Sequence, residues 1–336
     1  MKQETVRRII SFSLLVILIV VLSVTTDNFL TADNLINLFR ECSVVGILAV
    51  GVTFVIISSG NNLSSGAMLG TVAMVIARLY HSTALSVTGI LLCALLVAIC
   101  LGALNGFCVG VLQIPDYIAT LSVQMICQGL TYVLAIRTPG GQITNEIINN
   151  ATITGFGGKF LGTPIYRVTV AFFGLALLGQ IFLRHTKIGT HIYAMGSNRK
   201  SAEYSGISFV RIKMLVFILS AVCSFIAALY LTGRNATTDV ASGTTLSFQA
   251  ISGAVIGGAS FAGGRGDMIG TVIGVLFLQI LKNGLLKYGL PPNWQLLLSG
   301  LVIVGMIVFD AAYNEYMEKR TTKAAAIARE KKGAKS

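Results

Sequence analysis

From Cys42 to Ala77 the chain runs 36 residues without one charged side chain. As a single helix rising ~1.5 Å per residue, that run would be ~54 Å long, against a bilayer hydrocarbon core of ~30 Å. It must therefore break, and Gly60-Asn61-Asn62-Leu63-Ser64-Ser65-Gly66 is where a continuous apolar helix cannot be held. The same economy of charge runs through the chain. Only 11% of its 336 residues are charged and 54% are hydrophobic, whereas soluble domains carry roughly 25% charged residues. A soluble enzyme is excluded. The apolar stretches are long and continuous, not the short alternating segments of a membrane barrel. The expectation is an all-α, polytopic transmembrane helical bundle, in which helices satisfy the backbone that lipid leaves without water.

Ten spans are expected, near 9–26, 42–59, 66–80, 84–112, 117–136, 166–184, 213–233, 247–261, 267–281 and 295–310. The first follows Lys2, Arg7 and Arg8; it is longer than a signal-peptide core and lacks a clear cleavage site, so it reads as a retained span. With the N-terminus inside, 17 of the 25 Lys and Arg residues fall on the inner side and 8 on the outer. The positive-inside rule then puts both termini in the cytoplasm, in a multi-pass protein of the cytoplasmic membrane. It also accounts for the net charge of +12. Basic residues sit in loops and ends with no aromatic interleaving, so no nucleic acid is implied. Residues 1–314 form the transmembrane domain, with a cytoplasmic segment at about 185–212. Residues 315–336 form a basic cytoplasmic tail, a solvated helix with anionic membrane lipids as its second reading.

An internal echo adds a pseudo-repeat to this picture. Gly66-Ala67-Met68-Leu69-Gly70-Thr71-Val72 matches Gly266-Asp267-Met268-Ile269-Gly270-Thr271-Val272, each after a Gly/Ser-rich break. Asn105-Gly106 before Pro115 matches Asn283-Gly284 before Pro292. Repeats with broken helices place a transport path at their interface. Glycines at four-residue spacing (Gly102, Gly106, Gly110; Gly266, Gly270, Gly274) predict close helix packing.

Several chemistries have no residues to carry them. There is no HExxH and no metal-spaced Cys/His cluster, so no catalytic residue or metal ligand is named. The six cysteines lie in apolar runs without a CxxC pair and read as packing thiols. No ionisable residue is expected inside a span, which removes the usual basis of proton or sodium coupling. No GxxxxGK[ST] is present, so the chain has no P-loop of its own. Energy must come from elsewhere.

The largest inner loop supplies a place for it. Between Arg184 and Lys213, Ser197 or Asn198 is able to cap a helix and Gly206 suits its left-handed end. About two turns lie between, too short to be stable alone in water.

Four stretches now resemble one family. They are Ile192–Ile207, Val255–Gly266, Ser59–Gly66, and Asn105-Gly106 with Ile118-Ala119-Thr120-Leu121. Together, over about Phe29 to Asp310, the chain resembles the permease subunits of ABC importers of the ribose/monosaccharide type, more distantly related to branched-chain amino-acid permeases. The resemblance implies import of a small polyhydroxylated solute such as ribose, with no covalent chemistry and no cofactor. ATP is bound by a separate cytoplasmic ATPase docking on Gly196, Ser197, Asn198, Arg199, Lys200, Ala202, Glu203, Ser205 and Gly206. An extracytoplasmic solute-binding protein and a second permease subunit, identical or related, complete the assembly. Asn61, Asn62, Ser64, Asn105 and Gln249 are the candidates for lining the path, as the uncharged polar groups at the breaks. The family commonly carries Ile-Asp where this chain has Asn61-Asn62, acids at Ser247 and Gln249, and Arg at Gln128. Those changes remove negative field from the path while keeping hydrogen-bonding capacity. The alternatives are a permease for another small polar solute (a sugar-like signal, polyol or amino acid) and a stand-alone carrier or channel.

Overall fold

The computed structural model describes residues 2–26, 28–135, 146–238, 243 and 245–291, then 293, 294, 297, 298, 300, 301, 304, 305 and 308. Up to Tyr288 these form one compact unit; a second begins at Gly289, and its described residues from 293 to 308 are helical. The basic tail at 315–336 and most of the tenth expected span lie outside the described residues.

The first unit holds α1 (Lys2–Thr25), α2 (Ala32–Ile57), α3 (Ser65–Ser82), α4 (Val87–Gly110), α5 (Asp116–Leu134), α6 (Ala151–Phe156) and α7 (Arg167–His185). It continues with α8 (Lys187–Ser197), α9 (Arg199–Tyr204), α10 (Phe209–Asn235), α11 (Leu246–Ile256) and α12 (Met268–Lys287). One antiparallel pair of two-residue strands, β1 (Glu146–Ile147) and β2 (Thr237–Thr238), interrupts the helices. The chain is thus a helical membrane protein.

The uncharged run is explained by α2. Every residue from Cys42 to Ile57 is buried, enclosed by α7, α10, α11 and α12. A helix that is apolar all round belongs inside other helices. By contrast α4 and α5 leave Leu92, Leu96, Met125 and Val133 exposed, a face suited to lipid. Glycines bring α4 against α10: a Cβ on Gly102 would meet Ala221 at 2.6 Å, and one on Gly106 would meet Met214 at 2.8 Å. Gly270 and Gly274 do the same for α12, lying directly against the backbone of Gly257 and Gly253 on α11.

Helix directions follow from these contacts. α2 runs beside α7 in the same sense, Ser43 with Thr169 and Phe54 with Phe182, and opposite to α12, Thr53 with Thr271 and Asn34 with Asn283. One end of the unit therefore gathers residues 58–62, 111–116, 186–213 and 257–267. The other gathers 80–83, 146–166 and 233–238, where Tyr80 donates to Asn149 O and Ile148 N to Ala236 O.

Two expectations need correction. Among the described residues six helices, not ten, are long and apolar enough to cross a bilayer: α2, α4, α5, α7, α10 and α12. Of α1 only Phe12–Thr25 counts as an apolar stretch. α3 has 18 residues but carries Arg78, and α11 stops after 11 at Ile256 because Gly257 and Gly258 follow. The break at 58–64 stands where expected. The echo does not describe one repeat: its first-half parts sit on two antiparallel helices, α3 and α4, whereas Gly270 and Asn283 share the single helix α12. The glycine matches record a shared demand for close packing.

Candidate functional site

The break between α2 and α3 is held by side chains from four helices. Asn62, fully buried, donates from Nδ2 to Ser220 Oγ on α10 at 2.9 Å. Its Oδ1 accepts from the N–H of Ser64 at 3.1 Å and from Ser64 Oγ at 2.7 Å. Asn105 on α4 donates from Nδ2 to Ser64 Oγ at 2.8 Å. Thus Asn62, Ser64 and Asn105 meet in one buried network, with the Asn61 and Leu63 amides tied to Asp116 Oδ2 (2.8 Å) and Thr120 Oγ1 (3.3 Å) on α5. Two buried oxygens, Asn61 Oδ1 and Asn105 Oδ1, have no partner. Gln249 stands apart, half-buried on α11. Its neighbour Ser247 makes the contact instead, accepting from the Gly66 N–H at 2.7 Å.

Just below the break sits a group that the expectation of uncharged span interiors missed. Lys213, in the first turns of α10, is 2% exposed. Its Nζ donates to Ser59 O at 2.9 Å and Ser58 O at 3.1 Å, satisfying carbonyls that the end of α2 leaves open. A Cβ on Gly60 would lie 2.8 Å from Lys213 Nζ and 2.9 Å from Asp116 Oδ2, so the two charges crowd the break together at residue 60. In the sequence Lys213 reads as a charge at a span boundary and Asp116 as an acid in a helix's first turn. Only the fold brings both to residue 60.

The expected cytoplasmic segment is α8 and α9. Asn198, rather than Ser197, is the cap: its Oδ1 accepts from the Ser201 N–H at 3.0 Å. Gly206 ends the turn with φ +83°, as its position suggested. On the six-residue α9 only Ala202 is buried. Arg199, Lys200, Glu203 and Ser205 point outward, and Tyr204 is 91% exposed. Arg199 pairs with Glu203 at 3.0 Å and lies 3.7 Å over the Phe209 ring.

The base of this helix is knitted to two other loops. Gly264 N–H donates to Ile57 O at 2.8 Å and Tyr193 Oη to Gly266 O at 2.7 Å. Gly196 lies directly on Ile57 O, where any side chain would collide, and a Cβ there would be 2.6 Å from Gly264 N. Three stretches singled out in the sequence (59–66, 192–207 and 255–266) therefore meet at one end of the molecule. A cavity of 470 Å³ opens between them, with Ser59, Asp116, Ser197, Arg199, Phe209 and Lys213 in its walls. Among the described residues no cluster has the makings of a metal site.

Comparison with known proteins follows this geometry. A family model described as the permease component of the branched-chain amino acid transport system matches residues 34–307. The chain belongs to that permease family. This permease is 34% identical over 307 residues to the ribose import permease protein RbsC of Escherichia coli, covering 88% of this chain and 91% of that one. It is 34% identical over 297 residues to the ribose import permease protein of Bacillus subtilis, covering 88% and 90%. It is 30% identical over 299 residues to the D-allose transport system permease protein of Escherichia coli, covering 89% and 90%. No solved structure matches the chain. The matched region takes in all three convergent loops.

Proposed function

We propose that this permease is the membrane-spanning subunit of an ABC importer for a monosaccharide of the ribose class. The observation that carries the reading is α9: a capped two-turn helix that stands out from the surface while its base rests on the α2–α3 break. Force applied to α9 would pass through Gly196 to Ile57 and through Gly264 to the loop before α12. A separate ATPase docked there is the source of that force, and a binding protein delivers the sugar at the opposite end. A second permease subunit pairs with the apolar faces the single chain leaves open. Ten crossings with both termini cytoplasmic follow if α1, α3, α11 and 295–310 cross as well. Asn62, Ser64 and Asn105 brace the break, and the unpaired Asn61 Oδ1 and Asn105 Oδ1 are the atoms best suited to meet a sugar hydroxyl when the break opens.

The test is uptake into proteoliposomes containing the permease, its ATPase and its binding protein. Reversing the charges at Arg199, Lys200 and Glu203 should abolish ATP-dependent ribose uptake while sugar binding by the free binding protein is unchanged. Uptake that continues without ATP, or with α9 reversed, rejects the reading in favour of a stand-alone carrier.

A further inference from the structure

At the end remote from α9, α2 and α7 line a groove of 580 Å³, with Ile36, Phe39, Tyr166, Val170, Phe173 and Leu177 among its walls. Its walls are almost wholly apolar. It runs along α7 from Tyr166 to Leu177, roughly 16 Å at ~1.5 Å per residue, about half the ~30 Å hydrocarbon core. That is the reach of the acyl chains of one leaflet.

One charged group stands beside it. Arg40, one residue on from Phe39, places its guanidinium 4.2 Å from the centre of the Tyr166 ring. Its Nε is buried without a hydrogen-bond partner. The adjacent carboxylate, Glu41, is taken by Arg234, and among the described residues Arg40 has no ion pair. A half-buried guanidinium at the edge of an apolar groove, met among the described residues by the Tyr166 ring and no carboxylate, gains from an anion, and its planar fork matches a phosphate.

We propose that this groove binds an anionic glycerophospholipid, with its phosphate on Arg40 and one acyl chain along Val170, Phe173 and Leu177. The combination favours a lipid over a peptide or a second permease: the apolar part is one chain long, and a cation, Arg40, sits at its Tyr166 end, while Arg167 beside it is turned to Gly155 O. The site is independent of which solute is carried.

Gly174 supplies a clean probe. It lines the groove, and a Cβ there would touch nothing within 4 Å. Gly174→Leu should fill the groove without disturbing the helix, since leucine is a better helix former than glycine. The full chain would be purified in a mild detergent and titrated with phosphatidylglycerol or phosphatidylcholine, reading bound lipid by native mass spectrometry and the unfolding midpoint by fluorescence. Wild type should retain phosphatidylglycerol in preference and be stabilised by it. Arg40→Gln should weaken that binding about tenfold, the loss of ~1.4 kcal/mol. Gly174→Leu should unfold no lower than wild type yet retain no lipid there. Equal retention of both lipids, or unchanged phosphatidylglycerol retention in Gly174→Leu, would overturn the proposal. So would cross-linking of Gly174→Cys to a second permease, and the Gly174→Leu result decides even if Arg40→Gln fails to fold.

Discussion

Lys213 shows what a residue does that its type alone does not announce. Its two bonds to Ser58 O and Ser59 O close the end of α2, and Asp116 ties the next peptide, Asn61 N–H. Replacing Lys213 with Met keeps the apolar stem but leaves those carbonyls open. A hydrogen bond from a charged group contributes ~1.5–3 kcal/mol, so Lys213→Met should lower stability by about 2 kcal/mol. Asp116→Asn should cost less in that background than in the wild type, because the two side chains hold neighbouring residues of one break, Ser58 and Ser59 by Lys213 and Asn61 by Asp116. Thermal unfolding in detergent of the two single variants and the double variant measures the cycle, and strictly additive losses would show that the two act separately. The sequence identified the break itself, through Gly60 and the neighbouring amides. It was silent on the braces: Ser220 and Lys213 lie some 150 positions from the groups they hold, and a serine or lysine carries no mark of a distant partner.

At the scale of elements, hydropathy located the six long helices because each buries or greases a whole turn-by-turn surface. It erred where the backbone cuts a helix short. α11 ends at Ile256 because Gly258, at φ +101°, turns the chain out of the helix. α9 was legible from its cap and its terminal glycine, which are local signals. A helix of six residues has little else to hold it, so its cap has a large effect. Asn198→Ala removes ~1 kcal/mol of helix stability from an element with one buried side chain, Ala202. The expected result is a severalfold drop in coupled sugar uptake and in cross-linking to the ATPase, with the unfolding midpoint of the chain unchanged. Asn198→Asp, which keeps the cap, should restore both. Full uptake in Asn198→Ala would mean that α9 transmits nothing.

Over the whole molecule, helix contacts sort the loops into two ends, and the proposed role of α9 says which end faces the cytoplasm. Alternating helix directions gather Arg184, Lys187, Arg199, Lys200, Arg211, Lys213 and Arg265 at the α9 end. The opposite end holds Arg40, Arg78, Lys159, Arg167, Arg234, Lys282 and Lys287 with Asp33, Glu41 and Glu146, so these loops do not set the orientation by their own charge. On the proposed docking of an ATPase at α9, the α9 end is the cytoplasmic one and Leu161, 82% exposed on the other end, faces outward. Native thiols interfere little with a labelling test: Cys42, Cys127 and Cys223 are buried, and Cys93, Cys100 and Cys108 all lie within α4. In intact cells a membrane-impermeant maleimide should therefore label Leu161→Cys, and should label Tyr204→Cys only after the membrane is opened. The reverse pattern would invert the protein and take α9 away from any cytoplasmic motor. It would leave the helix packing intact, because the contacts among α2, α7, α10 and α12 are the same whichever end faces the cytoplasm.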